Sequence, residues 1–265
     1  MRSMTKLRSW LSGGVGTLGI IGLWWLAAIT VTGSSEKISY SPVPTPIEVL
    51  QQFGTDGFEF FWKNASVTVA EASIGFLWGN LTALALAALA FMIPKIENLA
   101  TQLAVITYCV PIVAIGPIIR LVIGAPDSGE PAGAAIALAA LSVFFTTMVG
   151  ALTGAKSADK AALDVVSVFG GKAWHRLIKV QLLSALPSIL AALRIAAPAA
   201  FLGAILGEYV GGPDVGFGPA MVNAQQSLEV ARVWALALAS GAIAGLAYAA
   251  FGSLAKLVTP WARGN

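Results

Sequence analysis

Few side chains in this sequence could take part in chemistry, and the longest charged island among the apolar runs is residues 155–187. This segment holds basic residues, two aspartates and the only histidine, His175, while the only cysteine, Cys109, lies far from it in an apolar run. A histidine and a cysteine so far apart do not indicate a metal site or a thiol–imidazole catalyst. Because no glycine-rich phosphate loop followed by Lys-Ser or Lys-Thr is present, we predict no nucleotide site and no catalytic residue.

The charged segment predicts two short helices separated by Gly170-Gly171. Apolar residues recur at i, i+3 and i+4 spacing on either side of this pair, over residues 158–169 and 174–182. Pro187 then ends the local regularity or opens the next helix. Two interpretations stay open: an ordinary solvated loop with interfacial helices, or a surface that docks a partner.

The elements that must position this segment are membrane spans. The chain has 265 residues, of which 57% are hydrophobic and 11% charged, against about 25% charged residues in an ordinary soluble domain. We therefore predict an all-α polytopic membrane protein with six transmembrane helices, each long enough to cross a hydrocarbon core about 30 Å thick. The expected spans are residues 15–31, 65–93, 99–123, 133–152, 189–210 and 233–258.

Other local signals refine these spans. The basic start before residues 15–31 is also typical of a cleavable signal peptide, but the run is long, and we interpret it as a retained helix. A further helix is expected to start near Pro46. Pro111 and Pro117 interrupt the third span. The glycine-rich stretch 211–219 follows a helix rather than a strand, so it is not a phosphate loop.

The distribution of basic residues predicts the orientation. If the N-terminus is cytoplasmic, the outer segments carry only Lys37, Lys63 and Arg232. The positive-inside rule then places both termini and residues 155–187 in the cytoplasm. The cytoplasmic segments would carry Arg2, Lys6, Arg8, Lys95, Lys156, Lys160, Lys172, Arg176, Lys179, Lys256 and Arg263.

The charged segment also contains a spaced pattern of Asp164, Gly170, Val180 and Leu182. This pattern resembles the coupling-loop signature of bacterial ABC-importer permeases. We expect Asp164 to begin a docking helix, where a carboxylate favours the positive end of the helix dipole, and Gly170 to end it in a left-handed turn. Further matches to the nitrate, sulfonate and taurine subfamily are Leu186-Pro187, Leu193-Arg194 and Glu208. The sequence departs from the family pattern at Asp164, Val165-Val166 and Leu183, where the family has glutamate, two alanines and proline. The resemblance extends over residues 60–225.

This resemblance implies a single transmembrane permease domain over residues 1–265, with 65–258 as its core, 1–64 as a first helix and outer loop, and 155–187 as the coupling loop. The protein would be a multi-pass permease of the bacterial inner membrane that imports a sulfonate, taurine, nitrate or a pyrimidine/vitamin precursor. It would bind no cofactor itself. The residues expected to contact the ATPase are Asp164, Val165, Val166, Phe169, Gly170, Gly171, Val180, Leu182 and Pro187.

The resemblance also implies the partners. They are a second permease copy, two ATP-binding subunits that carry ATP and Mg²⁺, an extracytoplasmic solute-binding protein and membrane lipid, with no nucleic acid. A secondary transporter is the alternative, but it would show inverted repeats, and no convincing repeat is present. A membrane-embedded enzyme would need clustered His, Asp or Glu near one membrane face, and the single His175 disfavours it.

Ionisable residues within the spans are candidates for a solute path, because they are costly in hydrocarbon unless they face protein or water. Arg120 and Arg194 could instead extend to the outer and inner interfaces. Glu71 lies in the second span, and Glu208 is expected to brace the glycine-rich stretch. If the solute is an anion, Arg120 would supply positive potential. The candidate path residues are Tyr108, Arg120, Glu208 and Asn223.

Overall fold

The computed structural model describes residues 2–33, 42–126, 130–211 and 213–263, and the regular secondary structure in these ranges is helical. The all-α fold predicted from the sequence is thus confirmed. Residues 34–41, within the predicted outer loop, and 127–129, between the third and fourth predicted spans, lie outside the described residues. The helices are α1 (Arg2–Gly33), α2 (Pro46–Met92), α3 (Glu97–Cys109), α4 (Ile112–Ile123), α5 (Gly133–Lys156), α6 (Lys160–Val168), α7 (Ala173–Arg176), α8 (Leu182–Gly211), α9 (Phe217–Gln226) and α10 (Val230–Val258).

Five helices in the described ranges are long and apolar enough to cross a membrane, and there are six spans if the bent pair α3 and α4 counts as one. The third span, predicted as one interrupted helix over residues 99–123, is instead two helices bent by 96°. The break lies at Pro111, which has no N–H to donate and which disfavours helical geometry at Val110. Val110 is accordingly extended, with φ −74° and ψ 127°.

The start of α2 lies at Pro46, where the sequence predicts one. Thr45 and Glu48 form a capping box: the Thr45 N–H donates to Glu48 Oε2 at 2.7 Å, and the Glu48 N–H donates to Thr45 Oγ1 at 3.3 Å. The helix then continues for 47 residues and bends at Gly57, whose φ of 73° is not helical. The helix predicted to start near Pro46 and the second predicted span are therefore one bent element.

The chain divides into two compact units. The smaller unit comprises residues 1–62 and 220–239. Within it, Trp24 stacks on Trp234 with ring centroids 5.2 Å apart. The Arg232 guanidinium pairs with Asp56, with Nη2 2.7 Å from Oδ1. The single domain expected over residues 1–265 stays a prediction.

The larger unit comprises residues 63–219 and 240–265, and its core forms where α5 packs along α8. Small residues allow the close approach: a Cβ added at Gly154 would lie 2.8 Å from Ala185 Cα. The helix α2 packs against α5 in the same way at Gly79.

The helix α8 is longer than the fifth span predicted over residues 189–210. A π-helical turn, Leu177–Gln181, joins it to α7, so the chain is helical from Ala173 to Gly211. The prediction that Pro187 ends or opens a helix is wrong, since Pro187 lies inside α8. A proline removes one backbone N–H and crowds the preceding turn. Burial of the flanking residues Ala185 and Ile189 in the core stabilises the helix across it.

Candidate functional site

The segment between α5 and α8 carries the short helix α6. This helix begins after Asp159, whose Oδ1 accepts a hydrogen bond from the Ala161 N–H at 3.1 Å. Aspartate is favoured at this N-cap position because it satisfies an N–H that the first helical turn leaves free. The sequence-based prediction that Asp164 begins the helix is therefore wrong. Asp164 lies in the middle of α6, and its side chain is exposed.

Gly170 ends this helix in the left-handed conformation predicted for it, with φ 76°. The Gly170 N–H donates to the Ser167 carbonyl at 3.0 Å, and the Gly171 N–H donates to the Val166 carbonyl at 2.8 Å. These two bonds form a Schellman motif. A residue with a Cβ would be strained at Gly170, although no neighbouring atom would touch it. The end of α6 is thus fixed by backbone geometry rather than by packing.

Three apolar side chains at α6 are exposed: Val165 by 55%, Val168 by 83% and Phe169 by 87%. We call them the loop patch. No residue of α6 itself is buried. Clustered exposed apolar side chains are a feature of both protein–protein and membrane interaction sites. The sequence analysis did not include Val168, although its i+3 spacing from Val165 could have identified it.

The remaining predicted coupling residues lie in the π-helical turn and in α8 rather than at the loop patch. Val180 is half-buried in the π-helical turn, Leu182 is 47% exposed at the start of α8, and Pro187 is half-buried inside α8. The structure therefore brings residues 164–171 together at the tip of the segment. Val180 lies in the π-helical turn instead, and Leu182 and Pro187 lie in α8.

His175 has a local structural contact. Its Nδ1 accepts a hydrogen bond from the Lys172 N–H at 3.1 Å, which caps the start of α7. In the ranges that the structure describes, no three His, Cys, Asp or Glu side chains are arranged to hold a metal ion.

Glu208 is a carboxylate on α8 that is 1% exposed and fastens the glycine-rich stretch. Its Oε1 accepts from Thr68 Oγ1 and its Oε2 accepts from the Gly218 N–H, both at 2.6 Å. Thr68 Oγ1 accepts in turn from the Phe217 N–H at 2.9 Å. These bonds hold the first turn of α9, which agrees with the bracing predicted for Glu208. Contact between Glu208 and a solute stays a prediction.

A second buried carboxylate, Glu71 on α2, lies close enough to Glu208 to interact with it. Its Oε1 accepts from the Ala132 N–H at 2.6 Å, and Ala132 is the N-cap residue of α5. Its Oε2 has no hydrogen-bond partner in the described ranges. The two carboxyl groups therefore fasten the amino-terminal ends of two helices by accepting hydrogen bonds from backbone N–H groups there. Sequence reasoning noted Glu71 only as an ionisable group, because no spacing shows that residues 71 and 208 meet.

The other predicted path residues have separate surroundings. Arg120 Nη1 donates to the Val210 carbonyl at 3.0 Å, which ties α4 to the end of α8. Tyr108 is 71% exposed and stacks on Phe145 with ring centroids 4.6 Å apart. Asn223 lies on α9 in the smaller unit and is exposed. That these residues line a path stays a prediction.

The chain is similar to known transport proteins over most of its length. Residues 75–264 match the family described as binding-protein-dependent transport system inner membrane component. A probable ABC transporter permease protein of Haemophilus influenzae is 29% identical over 221 residues, 83% of this chain and 86% of that protein. A putative aliphatic sulfonates transport permease protein of Bacillus subtilis is 28% identical over 87% of this chain and 80% of its own length.

Solved structures of similar fold include the MetNI methionine ABC transporter in an inward-facing conformation. The TM-score is 0.62 at 15% identity, and the match covers 76% of this chain and 95% of that one. At this identity the likeness concerns the fold alone. It agrees with the multi-pass helical architecture described above. On the family match and this fold together, the chain belongs to the binding-protein-dependent transport system inner membrane components, the permease subunits of ABC importers.

Proposed function

We propose that a partner ATPase holds α6 and thereby drives this permease to move a small solute into the cytoplasm. The observation that carries the proposal is the loop patch, Val165, Val168 and Phe169, on a helix that is capped at Asp159 and ended at Gly170. A short helix with both ends fixed and its apolar side chains exposed suits a groove on a partner protein. The chain would contribute no enzymatic activity, and ATP with Mg²⁺ would bind on the partner.

The connections of α6 suggest how such a grip would act on the spans. Only residues 157–159 separate α6 from α5, and the Schellman turn leads directly into α7 and then α8. At the same end of α5, Lys156 pairs with Glu97 of α3, with Nζ 2.5 Å from Oε1. A displacement of α6 would therefore act through short connections on three membrane helices, α5, α8 and, by way of the Lys156–Glu97 pair, α3. A protein that alternates between two conformations needs a partner that binds them unequally.

The proposed assembly contains two copies of this chain, two ATP-binding subunits and an extracytoplasmic solute-binding protein. Both termini and residues 155–187 would lie in the cytoplasm, with the solute-binding protein on the other side. The solute would belong to the sulfonate, taurine, nitrate or pyrimidine/vitamin precursor class. The name of the Bacillus subtilis relative, which refers to aliphatic sulfonates, supports this range.

Reconstitution would test the proposal. The chain, its ATP-binding subunit and its binding protein are placed in proteoliposomes, and ATP-dependent solute entry is measured. Substitution of Val165, Val168 and Phe169 by alanine should abolish entry, whereas alanine at Leu121 and Val122, two similarly exposed residues of α4, should leave it unchanged. Import at the wild-type rate by the loop-patch variant would contradict the proposal.

A further inference from the structure

Glu71 of α2 and Glu208 of α8 form a pair of buried acids, which are 0% and 1% exposed. Three of their four carboxyl oxygens accept a hydrogen bond: Glu208 Oε1 from Thr68, Glu208 Oε2 from Gly218, and Glu71 Oε1 from Ala132. The fourth oxygen, Glu71 Oε2, is buried and has no hydrogen-bond partner in the described part of the chain. A buried polar atom that lacks a partner is costly, so this oxygen requires an explanation.

Helix packing brings the two carboxyl groups within hydrogen-bonding reach of each other. Thr68 and Glu71 are three residues apart on α2 and therefore share one face of that helix, and Thr68 contacts Glu208 directly. On the side of α5, Gly207 lies against Ala135, where an added Cβ would overlap the backbone. The end of α5 that donates to Glu71 is therefore also the end that α8 meets beside Glu208.

The ion pairs of the described ranges leave both acids without a cation. The charged and titratable side chains on the surrounding elements are exposed instead, namely Lys63 of α2, Arg120 of α4, Glu130 before α5, Tyr209 of α8 and Asp214 of the glycine-rich stretch. Two buried carboxylates in contact are costly to ionise together, because the like charges repel and water solvates neither of them.

We infer that Glu71 and Glu208 bind one proton between them, and that it resides on Glu71 Oε2 and is donated to the Glu208 carboxylate. The hydrogen bonds assign the proton to Glu71, because both oxygens of Glu208 already face donors whereas Glu71 Oε2 faces none. A hydrogen on Oε2 gives this oxygen its missing partner. The pair is thus a proton-binding site that holds α2, α8, the start of α5 and the glycine-rich stretch together. The inference does not depend on the transport function proposed above.

Infrared spectroscopy of the permease–ATPase complex in nanodiscs tests this site. At neutral pH the wild-type complex should show the C=O stretching band of a protonated carboxylic acid, and Glu71→Gln should lose that band. Glu59→Gln, which removes an exposed carboxylate from the same helix, should leave the band unchanged. Glu71→Gln should keep the wild-type melting temperature, because its amide can donate to Glu208 and still accept from Ala132. Glu208→Gln should melt lower, since its amide nitrogen cannot accept a hydrogen bond.

Equilibrium unfolding at several pH values gives a second readout. Glutamate in the unfolded chain ionises near about pH 4.3. Above that pH the folded wild type would hold one proton more than the unfolded chain, so its stability should fall as the pH rises. Relative to Glu71→Gln, the wild-type unfolding equilibrium constant should rise about tenfold per pH unit until Glu71 itself ionises.

Three outcomes would overturn the inference. The first is an infrared spectrum of Glu71→Gln that matches the wild type, or a band that Glu208→Gln removes and Glu71→Gln keeps. The second is failure of Glu71→Gln to fold, because the amide reproduces the proposed hydrogen bonds. The third is stabilisation of the wild type, but not of Glu71→Gln, by Na⁺ or K⁺ at constant ionic strength, which would show that the pair holds a metal cation rather than a proton.

Discussion

Phe169 offers the most quantitative test of the loop patch. Its side chain is 87% exposed, and fully burying a phenylalanine is worth about 1.5–3 kcal/mol. If an ATPase groove buries this exposed part, Phe169→Ala forfeits at most about 1.3–2.6 kcal/mol of binding free energy. That loss corresponds to a roughly tenfold to eightyfold weaker complex. Because Phe169 has little contact with its own chain, the free energy of unfolding should change by only about 0.5 kcal/mol or less.

The affinity of the purified ATP-binding subunit for the chain in nanodiscs measures the first quantity, and thermal unfolding checks the second. Leu121→Ala is the matched control, since Leu121 is 86% exposed but lies on α4. It should leave the affinity unchanged. Wild-type affinity in Phe169→Ala would refute the reasoning, and so would a large loss of stability, which would show that Phe169 packs within its own chain.

The remaining predictions concern the turn, the buried carboxylate and the topology. Gly170→Val should reduce the ATPase stimulation caused by the loaded binding protein, whereas Gly170→Asn should retain most of it, because asparagine tolerates a φ of 76°. Equal stimulation in both variants would show that the left-handed conformation at residue 170 does not matter for coupling. Asp164→Lys should also reduce stimulation if its exposed carboxylate meets a basic group of the ATPase, and unchanged stimulation would exclude that contact. Glu208→Ala should destabilise the protein more than Glu208→Gln, which keeps one of the two hydrogen bonds, and the two unfolding free energies should differ by about 1–3 kcal/mol. Equal melting temperatures of the two variants would show that the carboxylate does not fasten α9. Single cysteines at Lys160 and Asp214 in a cysteine-free background should react with impermeant thiol reagents from opposite sides, and labelling of both from outside would contradict the proposed orientation.

The sequence predicted the helical elements well where one local signal dominates. The helix start at Pro46 and the glycine turn at Gly170 both depend on residues adjacent in the chain, and both are present. The error at Asp164 has a similar origin. Asp159 and Asp164 are both chemically suited to an N-cap, and the family pattern favoured the second, whereas the hydrogen bond to Ala161 shows that the first is used.

Features that depend on distant residues could not be predicted. Pro111 and Pro117 look alike in the sequence, yet one breaks the chain between α3 and α4 and the other lies within α4. The helix α9 escaped prediction because its first N–H groups donate hydrogen bonds to Thr68 and Glu208, which lie far away in the chain. The meeting of Arg194 with Tyr248 likewise arises only from the packing of α8 against α10.

Site-specific photo-crosslinking tests the central claim most directly, namely that the tip of residues 155–187 contacts an ATPase. A photoreactive phenylalanine analogue replaces Phe169 in the intact complex, and in a control variant of the same chain it replaces Leu121. The account predicts that the probe at 169 crosslinks to the ATP-binding subunit and that the yield changes when ATP is bound, while the probe at 121 does not. Crosslinking of residue 169 only to lipid or to the chain itself would contradict the account and identify the segment as an ordinary connecting loop.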